Sequence, residues 1–273
     1  MRQDALSIYI SNEEKDKLAE VYAGVIEAVQ KGAISEQIKN KNYSGEPTTG
    51  TVEIDRFKNA QINDLGTART NAKGDKVKNT GKVTISVDTD KEIVEEVSKK
   101  DIKLYGVAGM AEKRKDNHIK QMIAYLDKQF FAKAEEEGTA VTLPESITSI
   151  AQKLEALIQA VETTVNDWVD GVDRDMLVLT LTPELYGELE NYIDSVPNSL
   201  TGLKDEMFHK VRVFSNHRQT KSAICMIDGA VGQLVVTDEY DAEKIPLSND
   251  IGIELFFSKG TKAVMPDLIK YIA

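Results

Sequence analysis

Few side chains in this chain could cut, transfer or ligate. His209, His217 and Cys225 fall in one region, eight residues apart, and their nitrogen and sulfur donors are of the zinc-binding type. Cys225, however, sits inside the apolar run A-I-C-M-I, and His217 follows a strand-like segment. That setting fits a buried structural thiol and two surface histidines better than a metal or nucleophile site. Cys225 is the only cysteine, which excludes an intrachain disulfide and a thiolate cage. His118 reads as a surface residue of a helix, and Trp168 as core or cap packing rather than a stacking platform. The sequence contains no G-x-S-x-G, H-E-x-x-H, G-x-x-x-x-G-K-[ST] or G-x-G-x-x-G. Gly106 and Gly109 precede a helix, but no Lys-Ser/Thr follows to hold a phosphate. Carboxylates abound, and none is marked as a paired acid and base. The expectation is no catalytic residue, no metal site and no cofactor.

The elements that would position any such group come next. The chain has 273 residues, 41% hydrophobic and 29% charged, enough for one large domain or two ordinary ones with real cores. No apolar run is long enough to span a bilayer, and the N-terminus M-R-Q-D-A-L-S-I-Y-I lacks the pattern of a secretory signal. The formal net charge is -11, which disfavours nucleic-acid binding through phosphates. Charge is uneven: residues 50–85 carry seven bases against four acids, and residues 139–210 carry four bases against thirteen acids. Either this is chance variation over a solvated surface, or a basic arm meets an acidic body, on another copy of the same chain.

Residues 12–30 have helical spacing through Leu18, Val21, Val25, Ile26 and Val29, followed by a polar, glycine-broken linker. Thr51–Phe57 and Lys82–Asp88 read as strands. Between them lie the 24 residues from Lys58 to Gly81, far beyond the usual limit of about 12–15 for an unstructured loop. Ala111–Glu137 is the strongest helix, a rod of roughly 40 Å. Its basic first turns (Lys113, Arg114, Lys115) and acidic last turn (Glu135, Glu136, Glu137) both oppose the helix dipole. Screening and near pairs such as Glu112 and Asp116 account for this, or else complementary charge on neighbouring copies does. From Pro144 helices and strands alternate: a helix around Ile150–Val165, a buried strand Met176–Leu181, a helix opened by Thr182-Pro183, then strands at Val211–Phe214, Ala223–Ile227 and Val231–Val236. Ile251–Phe257 and Thr261–Met265 read as a hairpin turning at Lys259-Gly260.

These residues in this order resemble the major capsid proteins of tailed bacteriophages with the HK97-like fold. The resemblance rests on T-V-E-I-D-R-F-K-N-A-Q-I-N-D-L-G-T-A-R-T-N-A-K-G-D-K-V-K-N-T, then V-T-I-S-V-D-T-D-K-E-I-V-E-E-V, then H-I-K-Q-M-I-A-Y-L-D-K-Q-F-F-A-K-A, L-V-L-T-L-T-P-E-L-Y-G-E-L and G-I-E-L-F-F-S-K-G-T-K-A-V-M-P. It implies an α+β fold divided into an N-terminal arm (1–45), an extended E-loop hairpin (46–90), a P domain with a long spine helix (91–145), an α/β A domain (146–240) and a return to the P domain (241–273). It implies a structural protein, not an enzyme, that assembles as hexamers and pentamers into an icosahedral shell around double-stranded DNA without sequence-specific binding. The implied location is the virion capsid, assembled in the host bacterial cytoplasm, with a portal and decoration proteins as partners and no membrane. Some relatives carry an N-terminal scaffolding segment; here the arm begins at Met1, which points to a separate scaffold protein.

In such shells the E-loop lies across the adjacent subunit. The hairpin and the leading segment are then expected to become ordered only by lying on sister molecules. Arg69, Lys73, Gly74, Lys76 and Lys78 at the loop tip are expected to meet acidic groups of a neighbour, with Glu135, Glu136 and Glu137 and the acidic A domain as candidates. Some relatives also cross-link Lys to Asn; no partner Asn can be named here, so these lysines read as solvated. The competing readings are an encapsulin-like nanocompartment shell, a soluble α/β enzyme with an unrecognised site, and an acidic interaction module.

Overall fold

The computed structural model describes residues 12–60, 62, 64, 81–195, 207–237, 241–245, 248 and 250–273. In chain order these form α1 (Asn12–Gly32), α2 (Ile34–Ile38), a 3-10 turn (Pro47–Thr49), β1 (Thr51–Ile54), β2 (Val83–Ser86), β3 (Thr89–Val97), α3 (Lys99–Glu137), β4 (Thr139–Ala140), α4 (Ile150–Glu162), β5 (Leu177–Leu181) and α5 (Pro183–Ser195). Then follow β6 (Met207–Phe208), β7 (Val211–Ser215), β8 (Ala223–Ile227), β9 (Val231–Thr237), β10 (Asp241–Lys244), β11 (Ile251–Ala263) and β12 (Ile269–Ile272). The chain divides into two compact units: Met1–Gln37, Ser86–Gln129 and Gln233–Thr261 form one, and Ile38–Ile85, Phe130–Gly232 and Lys262–Ala273 the other.

In the first unit, Leu18, Val21, Val25 and Val29 form one apolar face of α1. They pack in a core with Val107, Ala111, Met122 and Leu126 of α3 and Ile253, Leu255 and Phe257 of β11. Glu13 and Glu14 lie in the first turn of α1 and Lys31 in its last, in accord with the helix dipole. The buried Ser35 amide donates to the buried Asp127 carboxylate at 2.9 Å. α1, in the described part of the leading segment, is thus buried against its own chain. For α1 the expectation of order only on sister molecules is corrected: its apolar face finds a complementary face on α3 and β11.

β11 differs from expectation too. It is one strand of 13 residues, not a hairpin, and pairs antiparallel with β3 from Ile251–Val97 to Lys259–Thr89 and with β10. Gly260 makes no turn. A side chain there would drive into the backbone, with the Ser86 carbonyl carbon 2.7 Å and the Val87 nitrogen 3.2 Å from its Cβ. β3, polar along much of its length, escaped the sequence reading because it is an exposed strand with burial confined mainly to Val97. α3 begins twelve residues before the expected start and is broken at Gly106 (φ 72°, ψ 168°). His118, expected at the surface, is 1% exposed, with Nε2 3.2 Å from a Glu95 oxygen. Arg114 grips the same carboxylate at 2.7 and 2.8 Å through Nε, so β3 supplies a partner that lets the imidazole be buried.

The second unit is built on a six-stranded sheet in the order β4-β12-β8-β5-β7-β6. β5 is buried along its whole length, parallel to β7 and antiparallel to β8, and so reads as a continuous apolar run. Leu154, Leu157, Ile158 and Val161 of α4 and Leu189 of α5 join its core. β12 enters this sheet between β4 and β8. The division at residue 241 therefore shifts: the chain's last twelve residues belong to the α/β unit, because β12 completes that unit's sheet. β1 and β2 pair as a separate two-stranded sheet, with Val52, Ile54 and Ile85 buried.

Candidate functional site

The pairing of β1 with β2 continues at the root of the long loop, where the Arg56 amide donates to the Gly81 carbonyl at 3.1 Å. Beyond it, alternate side chains of R-F-K are held by the segment after α4. Arg56 Nη2 lies 2.6 Å from Asp267, and Asn166 Nδ2 donates to the same carboxylate oxygen at 2.6 Å. Lys58 Nζ reaches Asp167 at 2.6 Å, and the Asn59 amide donates to the Asp167 carbonyl at 2.9 Å. Both cations lie over the Trp168 ring, at 5.2 Å for Arg56 and 5.5 Å for Lys58 from its centroid, within cation–π range. The Asn166 side chain accepts from the Trp168 and Val169 amides at 2.8 and 3.0 Å, an Asx-type turn that fixes the ring. Lys82 pairs with Glu53 across the two strands.

Trp168 is therefore a stacking platform after all, for cations. α4 ends at Glu162, so the ring leaves the helical spacing that suggested core packing. No sequence rule links positions 56 and 168, and the only available signal was the bases flanking Phe57. Burial pushes the Asp267 carboxyl up, but hydrogen bonds from Arg56 and Asn166 outweigh it and hold the group below the ordinary range.

Among the expected contact residues, Arg69, Lys73, Gly74, Lys76 and Lys78 lie outside the described residues. The acidic end of α3 is described. The Glu135 carboxylate accepts the Thr220 and Lys221 amides at 2.7 and 3.1 Å, and the Thr220 hydroxyl as well. Lys133 reaches Glu136 at 2.8 Å and Glu137 at 3.0 Å. At the other end Lys115 meets Glu112 at 3.6 Å. Each opposing cluster thus has near partners within its own chain.

The residues first considered for metal chemistry are scattered. Cys225 is buried, and its thiol is pushed well above the ordinary range by desolvation. His217 is exposed. His209 sits with Nδ1 3.0 Å from Glu155, in a cluster where Arg174 makes paired hydrogen bonds to both Glu155 and Glu162. Burial raises the Glu155 carboxyl, yet Arg174 and His209 bring it down to about 2. Among the described residues no group of three His, Cys, Asp or Glu side chains is placed to hold a metal, and no helix is long and apolar enough to cross a membrane. What the geometry offers is a loop root clamped by charge and an aromatic ring.

No family model matches the chain, and no curated protein matches it. Solved structures do. A capsid structure of the cyanophage P-SCSP1u covers 88% of this chain and 88% of its own, with TM-score 0.63 at 11% identity. A virus-like particle from Pyrococcus furiosus covers 93% and 98%, with TM-score 0.58 at 12% identity. The capsid of an empty GTA particle covers 88% and 89%, with TM-score 0.56 at 11% identity. The chain has the α+β capsid fold of the HK97-like type.

Proposed function

We propose that this chain is the major capsid protein of a tailed phage, a structural and non-enzymatic protein that assembles in hexamers and pentamers into a closed shell around double-stranded DNA. The observation that carries this reading is the agreement with a phage capsid structure over 88% of both chains, since a likeness across the whole chain leaves little room for a different architecture. The clamped hairpin root supports it. Arg56, Lys58 and Trp168 fix the base of the segment between β1 and β2, the anchorage that an E-loop reaching a neighbour would need. On this reading residues 46–90 act as the E-loop, the α3 rod as the spine helix, and Arg69, Lys73, Lys76 and Lys78 as contacts to an adjacent subunit. Glu136, 68% exposed at its side chain, is the member of the acidic cluster best placed to receive them. The net charge of -11 suits a wall that encloses DNA without adhering to it. A scaffold protein, a portal and decoration proteins are the partners such a shell would use, in the cytoplasm of a bacterial host.

Expression followed by light scattering and negative-stain microscopy tests this directly. Closed particles, or hexamers and pentamers, are expected; a species that stays near 30.3 kDa under all assembly conditions would overturn it. A second reading is a nanocompartment shell, a closed particle without a genome; the virus-like particle from Pyrococcus furiosus shares the fold. Particles from the native source that protect DNA from nuclease support the phage reading, and particles holding protein cargo support the nanocompartment.

A further inference from the structure

The α/β unit carries a concavity of ≈ 510 Å³ that no side chain among the described residues fills. Val169, Val172, Met176, Ile227, Met265 and Leu268 form its apolar wall, and Asp170 and Asp173 stand on its rim. Met176 is 53% exposed, and Val165, bridged to Asp170 in the same turn, is 69% exposed. The rim belongs to a stretch of marked polarity: Asp167, Asp170, Asp173 and Asp175 fall within nine residues.

The same unit also presents a projecting apolar pair. Phe57 is 56% exposed and Ile62 fully so, on the segment leaving β1. Single exposed apolar residues need no explanation, but these two flank a contact whose geometry constrains them. Arg56 and Lys58, one on each side of Phe57, are both committed to the Trp168 segment. Phe57 between them stays 56% exposed, unburied by the acidic segment that holds its neighbours. Neither Phe57 nor Ile62 lines the pocket of its own chain, and both remain exposed.

We propose that the pocket walled by Val172, Met176 and Leu268 receives Phe57 and Ile62 of a second copy of this chain. Charge decides the occupant. The segment carrying the projection has seven bases against four acids over residues 50–85, and the pocket rim is acidic. The chemistry is already displayed once within the chain, where Lys58 binds Asp167 of this acidic stretch. A projection on one surface that fits a hollow on another makes a head-to-tail contact, which closes into rings when the rotation allows. The inference rests on the shell reading for its repeated copies, and names an apolar lock beside the charge contacts proposed there.

Single variants Phe57→Cys, Ile62→Cys and Met176→Cys, each purified separately, test it. All three positions are exposed, and the one native thiol, Cys225, is buried and poorly ionised, so it stays silent. Either hairpin variant is mixed with Met176→Cys under assembly conditions and treated with a short bismaleimide. Particles together with a covalent dimer of one hairpin variant and one pocket variant, absent when either is treated alone, are the expected result. Particles with no mixed dimer from either pairing overturn the lock and leave the shell reading standing. A wild-type protein that forms no particles under the same conditions overturns the shell reading and this inference with it.

Discussion

Arg56 and Asp267, 211 positions apart in sequence, meet at 2.6 Å in a half-buried ion pair, with side chains only 16% and 25% exposed. The pair ties the root of the long loop to the segment before β12. Truncating one partner strands the other in a poorly solvated place, where loss of a charged hydrogen bond costs about 2 kcal/mol. Arg56→Ala and Asp267→Ala should each destabilise by about that amount in urea unfolding. The double variant should cost clearly less than the sum, since the second truncation removes a charge already orphaned. Additive losses would mean that the pair contributes nothing as a pair.

The Glu155 cluster makes a pH prediction. Its carboxyl is brought from 4.5 down to about 2, so the folded state binds that proton less readily than the unfolded chain. The stabilisation is therefore fully present above pH 4.5 and is lost as pH falls toward 2. It amounts to at most about 3 kcal/mol, since each tenfold change in proton affinity corresponds to roughly 1.4 kcal/mol. Arg174→Met should remove most of it. The stability gap between wild type and variant should be wide at pH 7 and shrink steadily below pH 4.5, measured by urea unfolding at each pH. A gap independent of pH would show that Arg174 acts only through packing.

Gly260 lies in mid-strand against the Ser86–Val87 backbone. Alanine there must displace main chain, not a flexible side-chain end, so a loss of about 3 kcal/mol is expected for Gly260→Ala, read as a fall in the urea midpoint. A variant as stable as wild type would show that the strands can part at no cost.

What was legible in the sequence follows from how local the signal was. The run M-L-V-L-T-L announced a buried strand because both faces of β5 are covered, and α4 showed its apolar face at helical spacing. Gly260 misled because a glycine after a lysine has two meanings, turn or close approach, and only the position of Ser86 separates them. His118 and Trp168 were misplaced for the same reason. Their surroundings are Glu95 of β3 in one case and Arg56 and Lys58, just beyond β1, in the other, none of them local to the residue they surround. The face of α1 was plain from Leu18, Val21, Val25 and Val29, but its partner was not, so a helix that buries itself at home looked like an arm awaiting a neighbour. The resemblance supplied the capsid fold, which periodicity alone could not have reached.

Two glycines three residues apart should respond to alanine with opposite signs. Gly106 breaks α3 with φ 72° and ψ 168°, a region that side-chain-bearing residues enter only at a cost of about 1–3 kcal/mol. An added Cβ would also crowd the Glu14 carboxylate of α1. Gly109 lies within the helix, and its Cβ would make an ordinary 3.5 Å contact with Tyr105. Removing backbone freedom from an unfolded chain at a helical site gains about 1 kcal/mol. Gly106→Ala should therefore lower the urea midpoint, and Gly109→Ala should raise it. If both variants lose stability alike, the helix tolerates no side chain on this turn; if both gain, the break at Gly106 is a convenience that straightens once its residue prefers the helix.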